Sequence, residues 1–148
     1  MKTILCLIAS VAFVSLVVAQ APAAAKTPGP KLINSAVYDW NDLKPQQRPN
    51  GERRAVFDNP TETLANFECH ITTLKVGENS GPAHTHTVEE ATFVKEGTVE
   101  VLINDTKRTI GPGSVFYFAA KDAVAIRNVG ATPATYVVFS IRATPAAK

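Results

Sequence analysis

The sequence predicts an all-β fold built as a single domain. Beyond the apolar N terminus no stretch keeps a helical period, whereas short stretches rich in β-branched and aromatic residues recur with turn residues between them. Residues 98–103 also follow the alternation expected of a strand that turns one apolar face to a core. Many short strands at this spacing are typical of a β-sandwich or a β-barrel.

The N-terminal segment, residues 1–19, is expected to be a cleavable secretory signal. Lys2 precedes an apolar run over residues 4–19 that only Ser10 and Ser15 interrupt, and small residues stand before Gln20. The alternative is a membrane anchor, but a spanning helix needs about 20 apolar residues. The signal predicts a secreted or periplasmic protein with no stable membrane insertion after cleavage.

The remaining chain is expected to hold a short flexible leader and one β domain. Residues 20–36 are rich in Ala, Pro and Lys and form the leader, and residues 37–148 have the size of one domain. Removal of the signal takes Cys6 away and leaves only Cys69, so an internal disulfide cannot form. The domain must therefore be stabilised by packing.

Turn signals divide the domain into its predicted strands. Residues 37–40 are expected to form a short strand or a docking segment, and residues 41–50, which contain two prolines, a loop. Strands are predicted at residues 63–74, 91–95, 98–103, 107–110, 115–118, 124–128 and 134–141. Turns are predicted at Glu96-Gly97, Asn104-Asp105, Gly111-Pro112-Gly113 and Val129-Gly130.

The net charge of the chain indicates which kinds of partner it can attract. Lys and Arg number 15 against 13 Asp and Glu, which gives a formal net charge of +2. This small excess gives no electrostatic basis for binding nucleic acid or an anionic membrane. We expect a small-molecule ligand or substrate instead.

The most informative motif is His84-Thr85-His86 followed by Glu90. In an extended strand, alternate side chains share a face, so His84, His86 and Glu90 lie together while Glu89 points the other way. Two imidazoles and a carboxylate suit a divalent ion of Mn, Fe, Co, Ni or Zn. The alternative is that the three groups only hydrogen-bond to one another and to water.

This pattern resembles the first motif of the cupin superfamily, as found in small single-domain, type-2 cupins. That motif continues for six residues after its glutamate to a glycine, here Gly97, while its leading glycine is one residue displaced, at Gly77. Gly113 and Asn128 match the second motif. The resemblance covers roughly residues 63–142 and implies a single jelly-roll β-barrel, and homodimers are common among the proteins it resembles.

Position 124 is the main departure from the family. The resemblance places the fourth metal ligand, a histidine, four residues before Asn128, where this chain has Val124. A valine side chain cannot bind a metal ion. The resemblance therefore implies a divalent metal held by His84, His86 and Glu90 with waters completing its coordination.

Three further residues are candidates for the chemistry of the site. His70 shares a strand face with Glu68 and Thr72, and this face is either exposed to solvent or lines the pocket, where His70 would serve as a replacement ligand or an acid/base group. Glu89 is a second candidate for proton transfer. Arg54 is either a solvated charge or a clamp on a substrate carboxylate.

We therefore expect an exported cupin that binds a divalent metal and binds or acts on a small polar molecule. The activities of the family include dioxygenases, isomerases, decarboxylases and hydrolases, and the resemblance does not select among them or establish that the chain is an enzyme. The alternative is a non-catalytic ligand-binding or sensor cupin. In that case Val124 and its apolar neighbours make the pocket drier, and the metal is absent or structural.

The signal predicts a mature protein that begins near Gln20. Because the apolar run has the length and flanks that signal peptidase recognises, N-terminal sequencing of protein from the native host should show the loss of residues 1–19. Recovery of an intact Met1 terminus in the membrane fraction would contradict this prediction.

Overall fold

The computed structural model describes residues 31–144. The predicted signal peptide and residues 20–30 of the predicted leader lie outside the described residues. Residues 31–36 are described, and there the Ile33 backbone N–H donates a hydrogen bond to the Pro60 carbonyl over 2.9 Å. This end of the leader segment therefore contacts the domain. The part of the chain that the structure describes contains no helix that could cross a membrane.

The described residues form strands β1 to β10, which confirms the all-β class. Their bounds are β1 Gln46–Arg48, β2 Gly51–Asn59, β3 Leu64–Leu74, β4 His84–Thr85, β5 Glu89–Glu96, β6 Val99–Ile103, β7 Thr106–Ile110, β8 Val115–Phe118, β9 Ala123–Asn128 and β10 Ala134–Ala143. All seven strands predicted from residue 63 onward are present, with bounds within about two residues. Strands β1, β2 and β4 were not predicted, and residues 37–40 form no strand.

The strands build two antiparallel sheets. One is six-stranded, in the order β1-β2-β3-β10-β5-β8, and the other is four-stranded, in the order β4-β9-β6-β7. The predicted closed barrel is not formed by the described strands, because the sheets share no strand pairing. At the corner between β7 and β8, Pro112 has no N–H to donate and Gly113 adopts φ 84°, so the ladder stops there and β8 pairs with β5 instead.

The core lies between the facing sheets. Val99 and Val101 from β6 are buried against residues of the other sheet, as their predicted alternation requires. The other buried apolar members of this cluster are Leu74, Val94, Phe118, Val124, Ile126, Ala134, Tyr136 and Val138. Gly97 closes the turn before β6 at φ 80°, and a Cβ at this position would lie 2.6 Å from the Cα of Ala134, so only glycine fits.

A buried amide joins the two sheets at one end of the sandwich. The Asn128 side chain is fully buried at the end of β9, and its Nδ2 donates to the carbonyls of Leu74, Lys75 and Thr132 over 2.9–3.1 Å. Its Oδ1 accepts from the backbone N–H of Gly130. One side chain thereby bonds to the backbone of two separate segments, the end of β3 and the turn before β10.

Replacing this amide should therefore cost several kcal/mol. Asn128→Asp removes the donors and places a carboxylate against three carbonyl oxygens, and each buried acceptor left unpaired costs about 1–3 kcal/mol. Urea denaturation should show this loss, whereas Asn41→Asp, at an exposed position, should leave the free energy of unfolding within about 0.5 kcal/mol of wild type. Equal stability of the two variants would contradict the role assigned to Asn128.

Candidate metal and ligand site

A cavity of about 160 Å³ opens between the two sheets. It is lined by polar and ionisable side chains together with apolar core residues. The lining residues are Arg48, Asn50, Glu52, His70, Thr72, Ser80, His84, His86, Glu90, Phe118, Val124, Ala125, Ile126, Tyr136 and Val138. The cavity therefore contains every histidine of the described residues.

The strand register explains which side chains of the six-stranded sheet face the cavity. Cross-strand partners share a face, and the register aligns Thr72 with Tyr136, and His70 with Val138. In the pairing of β5 with β10, Glu90 lies opposite Ser140. The inner face of this sheet thus presents His70, Thr72 and Glu90 on one surface.

The motif residues do not lie on one continuous strand. His84 belongs to β4 of the four-stranded sheet, Glu90 belongs to β5 of the six-stranded sheet, and the chain bends at Thr87 and Val88 between them. The bend carries the chain across the gap between the sheets. The same cavity is nevertheless lined by His84, His86 and Glu90. As predicted, Glu90 and Glu89 point to opposite faces of the strand.

The three groups are close to one another. The imidazole centroids of His84 and His86 lie 4.6 Å apart, and Nδ1 of His86 lies 3.5 Å from Oε1 of Glu90. Nδ1 of His84 donates to the Pro82 carbonyl over 2.9 Å. Because that bond keeps the hydrogen on Nδ1, the lone pair of His84 is on Nε2.

This donor set fits a divalent metal ion. A backbone carbonyl that orients an imidazole through its Nδ1–H is the usual support for a metal-binding histidine, and His84 has that support. Within residues 31–144, however, no three His, Cys, Asp or Glu side chains already stand in a metal-binding arrangement. The groups share a cavity, and His86 and Glu90 would have to turn toward a common point.

Val124 forms part of the wall beside His84. It is the cross-strand partner of His84 and only 1% exposed, and it lines the same cavity. Directly paired residues have Cβ atoms about 4.5–5.5 Å apart. The residue that replaces the family's fourth ligand is therefore next to the candidate ligands, as the motif alignment predicts.

His70 lines the cavity from the opposite sheet. Its Nδ1 lies 2.8 and 3.0 Å from the two carboxylate oxygens of Glu68, and Glu68 also accepts from Arg53 over 2.5 Å. Of the two alternatives for the polar face of β3, the structure favours the one in which His70 faces the pocket.

Two predicted site residues are placed outside the cavity. Glu89 is exposed on the outer face of β5. Arg54 bonds to Glu52 and the Leu43 carbonyl, and its guanidinium lies 4.5 Å from the centroid of the Trp40 ring. Neighbouring residues on a strand point to opposite faces, so Arg54 packs under Trp40 while Arg53 pairs with Glu68. The structure therefore does not bring Arg54 or Glu89 into the candidate site.

The cavity also contains residues that the sequence did not single out. Arg48, on β1, lines the cavity in a segment predicted to be loop. Tyr136 is 2% exposed, and burial raises the pKa of its phenol, an effect that hydrogen bonds to Thr72 and Ser80 and the Arg48 charge partly offset. Only the pairing of distant strands reveals these residues, because none belongs to a local motif.

Cys69 is not part of the site. It is buried on the face of β3 opposite His70. Burial, together with the charge of Glu68, raises the pKa of its thiol to about 11. The thiol therefore stays protonated at neutral pH, where it is neither a good nucleophile nor a metal ligand.

Comparison with known proteins supports the cupin fold. A family model described as a cupin domain matches residues 70–140. A search of curated proteins finds no match.

Solved structures of cupins superpose on most of the chain. An RmlC-like cupin from Shewanella frigidimarina aligns with TM-score 0.62 and 12% identity over 76% of this chain and 95% of that chain. KdgF from Halomonas sp. aligns with TM-score 0.62 and 19% identity over 74% and 96%. The cupin domain of Cnp3 from Schizosaccharomyces pombe aligns with TM-score 0.61 and 16% identity over 72% and 73%.

These identities are low, so the superpositions show a shared fold. The matched region contains His70, the His84-Thr85-His86 motif, Glu90, Val124 and Asn128. The match to the cupin-domain model over residues 70–140 and the shared fold support a small cupin-domain protein.

Proposed function

We propose that the protein binds a divalent metal ion through His84, His86 and Glu90 and uses it to hold a small polar molecule in the cavity. The observation that carries this proposal is the convergence of the three side chains on one cavity across the bend at residues 87–88. The Pro82 carbonyl supports it further, because it directs Nε2 of His84 away from the backbone. Manganese, iron, cobalt, nickel and zinc are all compatible with these ligands.

The cavity suits a small molecule with an acidic group. Arg48 is an exposed guanidinium on its wall, and it forms no ion pair among the described residues. A guanidinium binds a carboxylate through two parallel hydrogen bonds. Arg48 is thus the candidate substrate clamp in place of Arg54, and a metal ion would supply a Lewis acid for a carboxylate or carbonyl oxygen.

A second function is a non-catalytic cupin that binds a small ligand without metal. Val124 favours it, since a buried valine stands beside His84 where a fourth ligand would be needed. In this case His84, His86 and Glu90 hydrogen-bond to the ligand or to water. Metal content distinguishes the two functions.

We also propose that the protein is exported and forms a homodimer. We propose that the mature protein lies outside the cytoplasm, because residues 1–19 have the pattern of a secretory signal. Association as a homodimer is supported by the exposed apolar side chains of Phe93, Val115 and Tyr117 on the outer face of the six-stranded sheet.

The metal proposal predicts that His86→Ala and Glu90→Ala lose most of the bound metal. Elemental analysis of protein purified without a histidine tag should show this loss, and the variants should lose the stabilisation that added metal gives the wild type. The melting temperature of the metal-free protein should change little. Glu89→Ala is the matched control, because Glu89 is adjacent but points away from the cavity. Equal metal content in wild type and both ligand variants would contradict the proposal.

A second variant tests whether position 124, where the cupin motif has its fourth metal ligand, adjoins the metal. Val124→His places an imidazole beside His84, and affinity for nickel or zinc should rise by about tenfold, which corresponds to about 1.4 kcal/mol. Val124→Phe introduces a ring without donor atoms and should give no gain. Titration calorimetry measures both, and unchanged affinity in a folded Val124→His protein would show that position 124 does not adjoin a metal.

A further inference from the structure

Arg53, Glu68 and His70 form a connected set that ends at the cavity. Arg53 Nη2 lies 2.5 Å from Oε1 of Glu68, and both oxygens of Glu68 lie within 3.0 Å of Nδ1 of His70. We propose that Glu68 is a positioning residue that holds His70 with Nε2 toward the cavity, and that His70 exchanges a proton there with the bound molecule.

The carboxylate determines which ring nitrogen carries the hydrogen. An ionised carboxylate only accepts hydrogen bonds, so Nδ1 of His70 must donate in both the neutral and the charged imidazole. Nε2 is then the atom whose protonation changes. It accepts no hydrogen bond from any residue within 31–144 and makes none to them, and the ring lines the cavity.

Arg53 keeps Glu68 in this position. The side chains of Arg53, Glu68 and His70 are 24%, 13% and 18% exposed, so the set is mostly shielded from solvent. Register places Arg53 opposite Thr72 and Ala55 opposite His70, so the arginine reaches along the same face to Glu68. The guanidinium bond to Oε1 thereby holds the carboxylate beside Nδ1 of His70.

The proposed step is a single proton transfer. Nε2 takes the proton of an acidic O–H or C–H group, the electron pair of that bond remains on the bound molecule, and the proton returns in the reverse step. The proposal rests on the proposed function only for the presence of a small polar molecule in the cavity. The set lies on β2 and β3, whereas His84, His86 and Glu90 lie on β4, β5 and the bend between them.

The tautomer of His70 is the first test. In metal-free protein labelled with ¹⁵N-histidine, at a pH where imidazole is neutral, two-bond ¹H–¹⁵N correlation spectra should show the Nδ1–H form for His70. In Glu68→Gln, a neutral amide replaces the carboxylate, so the charge-assisted hydrogen bond that favours the Nδ1–H form is lost and His70 should shift toward the Nε2–H form. An Nε2–H form in the wild type overturns the proposal without any variant.

The reactivity of Nε2 is the second test. Diethyl pyrocarbonate modifies an unprotonated imidazole nitrogen, and trypsin releases His70 alone on residues 55–75 and both His84 and His86 on residues 76–95. Mass spectrometry should show that Glu68→Gln slows modification of His70 by about tenfold and leaves the other peptide unchanged. Glu100→Gln breaks the comparable pair with Lys107 on the other sheet and should not affect His70.

A purely structural role would give a different result. Glu68→Gln would then lower stability while the tautomer and the modification rate of His70 stayed as in wild type, and this outcome would overturn the proposal. Arg53→Gln keeps the carboxylate and should retain the Nδ1–H form. Failure of the metal proposal appears in elemental analysis and metal titration, whereas the tautomer and modification rate of His70 are measured in metal-free protein, so the two proposals fail separately.

Discussion

The buried amide of Asn128 is the interaction on which the architecture depends. The two sheets share no strand pairing, so the packing of apolar side chains and a few polar contacts must hold them in register. Asn128 satisfies carbonyls at the end of β3 and in the turn before β10 while its own strand belongs to the other sheet. An apolar side chain at this position would remove the donor that these three carbonyls share.

Asn128 joins the sheets at one end of the sandwich, and the cavity opens further along β9. Both sheets contribute polar and apolar side chains to its walls. The six-stranded sheet supplies Glu90, His70 and the Tyr136 phenol, while β9 supplies Val124, Ala125 and Ile126. An apolar wall lowers the local dielectric and strengthens interactions among the charged groups opposite it. Val124 therefore presents an apolar side chain beside His84, at the position where the cupin motif has a histidine.

Strand parity decides which of two adjacent ionisable residues reaches the cavity. Glu90 lines it and Glu89 is exposed, and Arg53 contacts Glu68 while its neighbour Arg54 lies beneath Trp40. A strand turns successive side chains to opposite faces, so a shift of one residue would exchange these roles. The site is consequently sensitive to bulges such as the one between Ala55 and Phe57.

Sequence alone predicted the all-β class and the strands from residue 63 onward, which follow from local periodicity, and the likeness to cupins, which follows from motif spacing. It also predicted that His84, His86 and Glu90 lie together, but on one extended strand, whereas the chain bends at residues 87–88 between them. The tertiary structure decided what depends on pairing between distant strands. It brought Arg48 and Tyr136 into the cavity, turned Arg54 away and joined His70 to Arg53 through Glu68. It also left the two sheets of the described residues without a shared strand pair. These outcomes depend on register and on the packing of one sheet against the other, which local sequence does not encode.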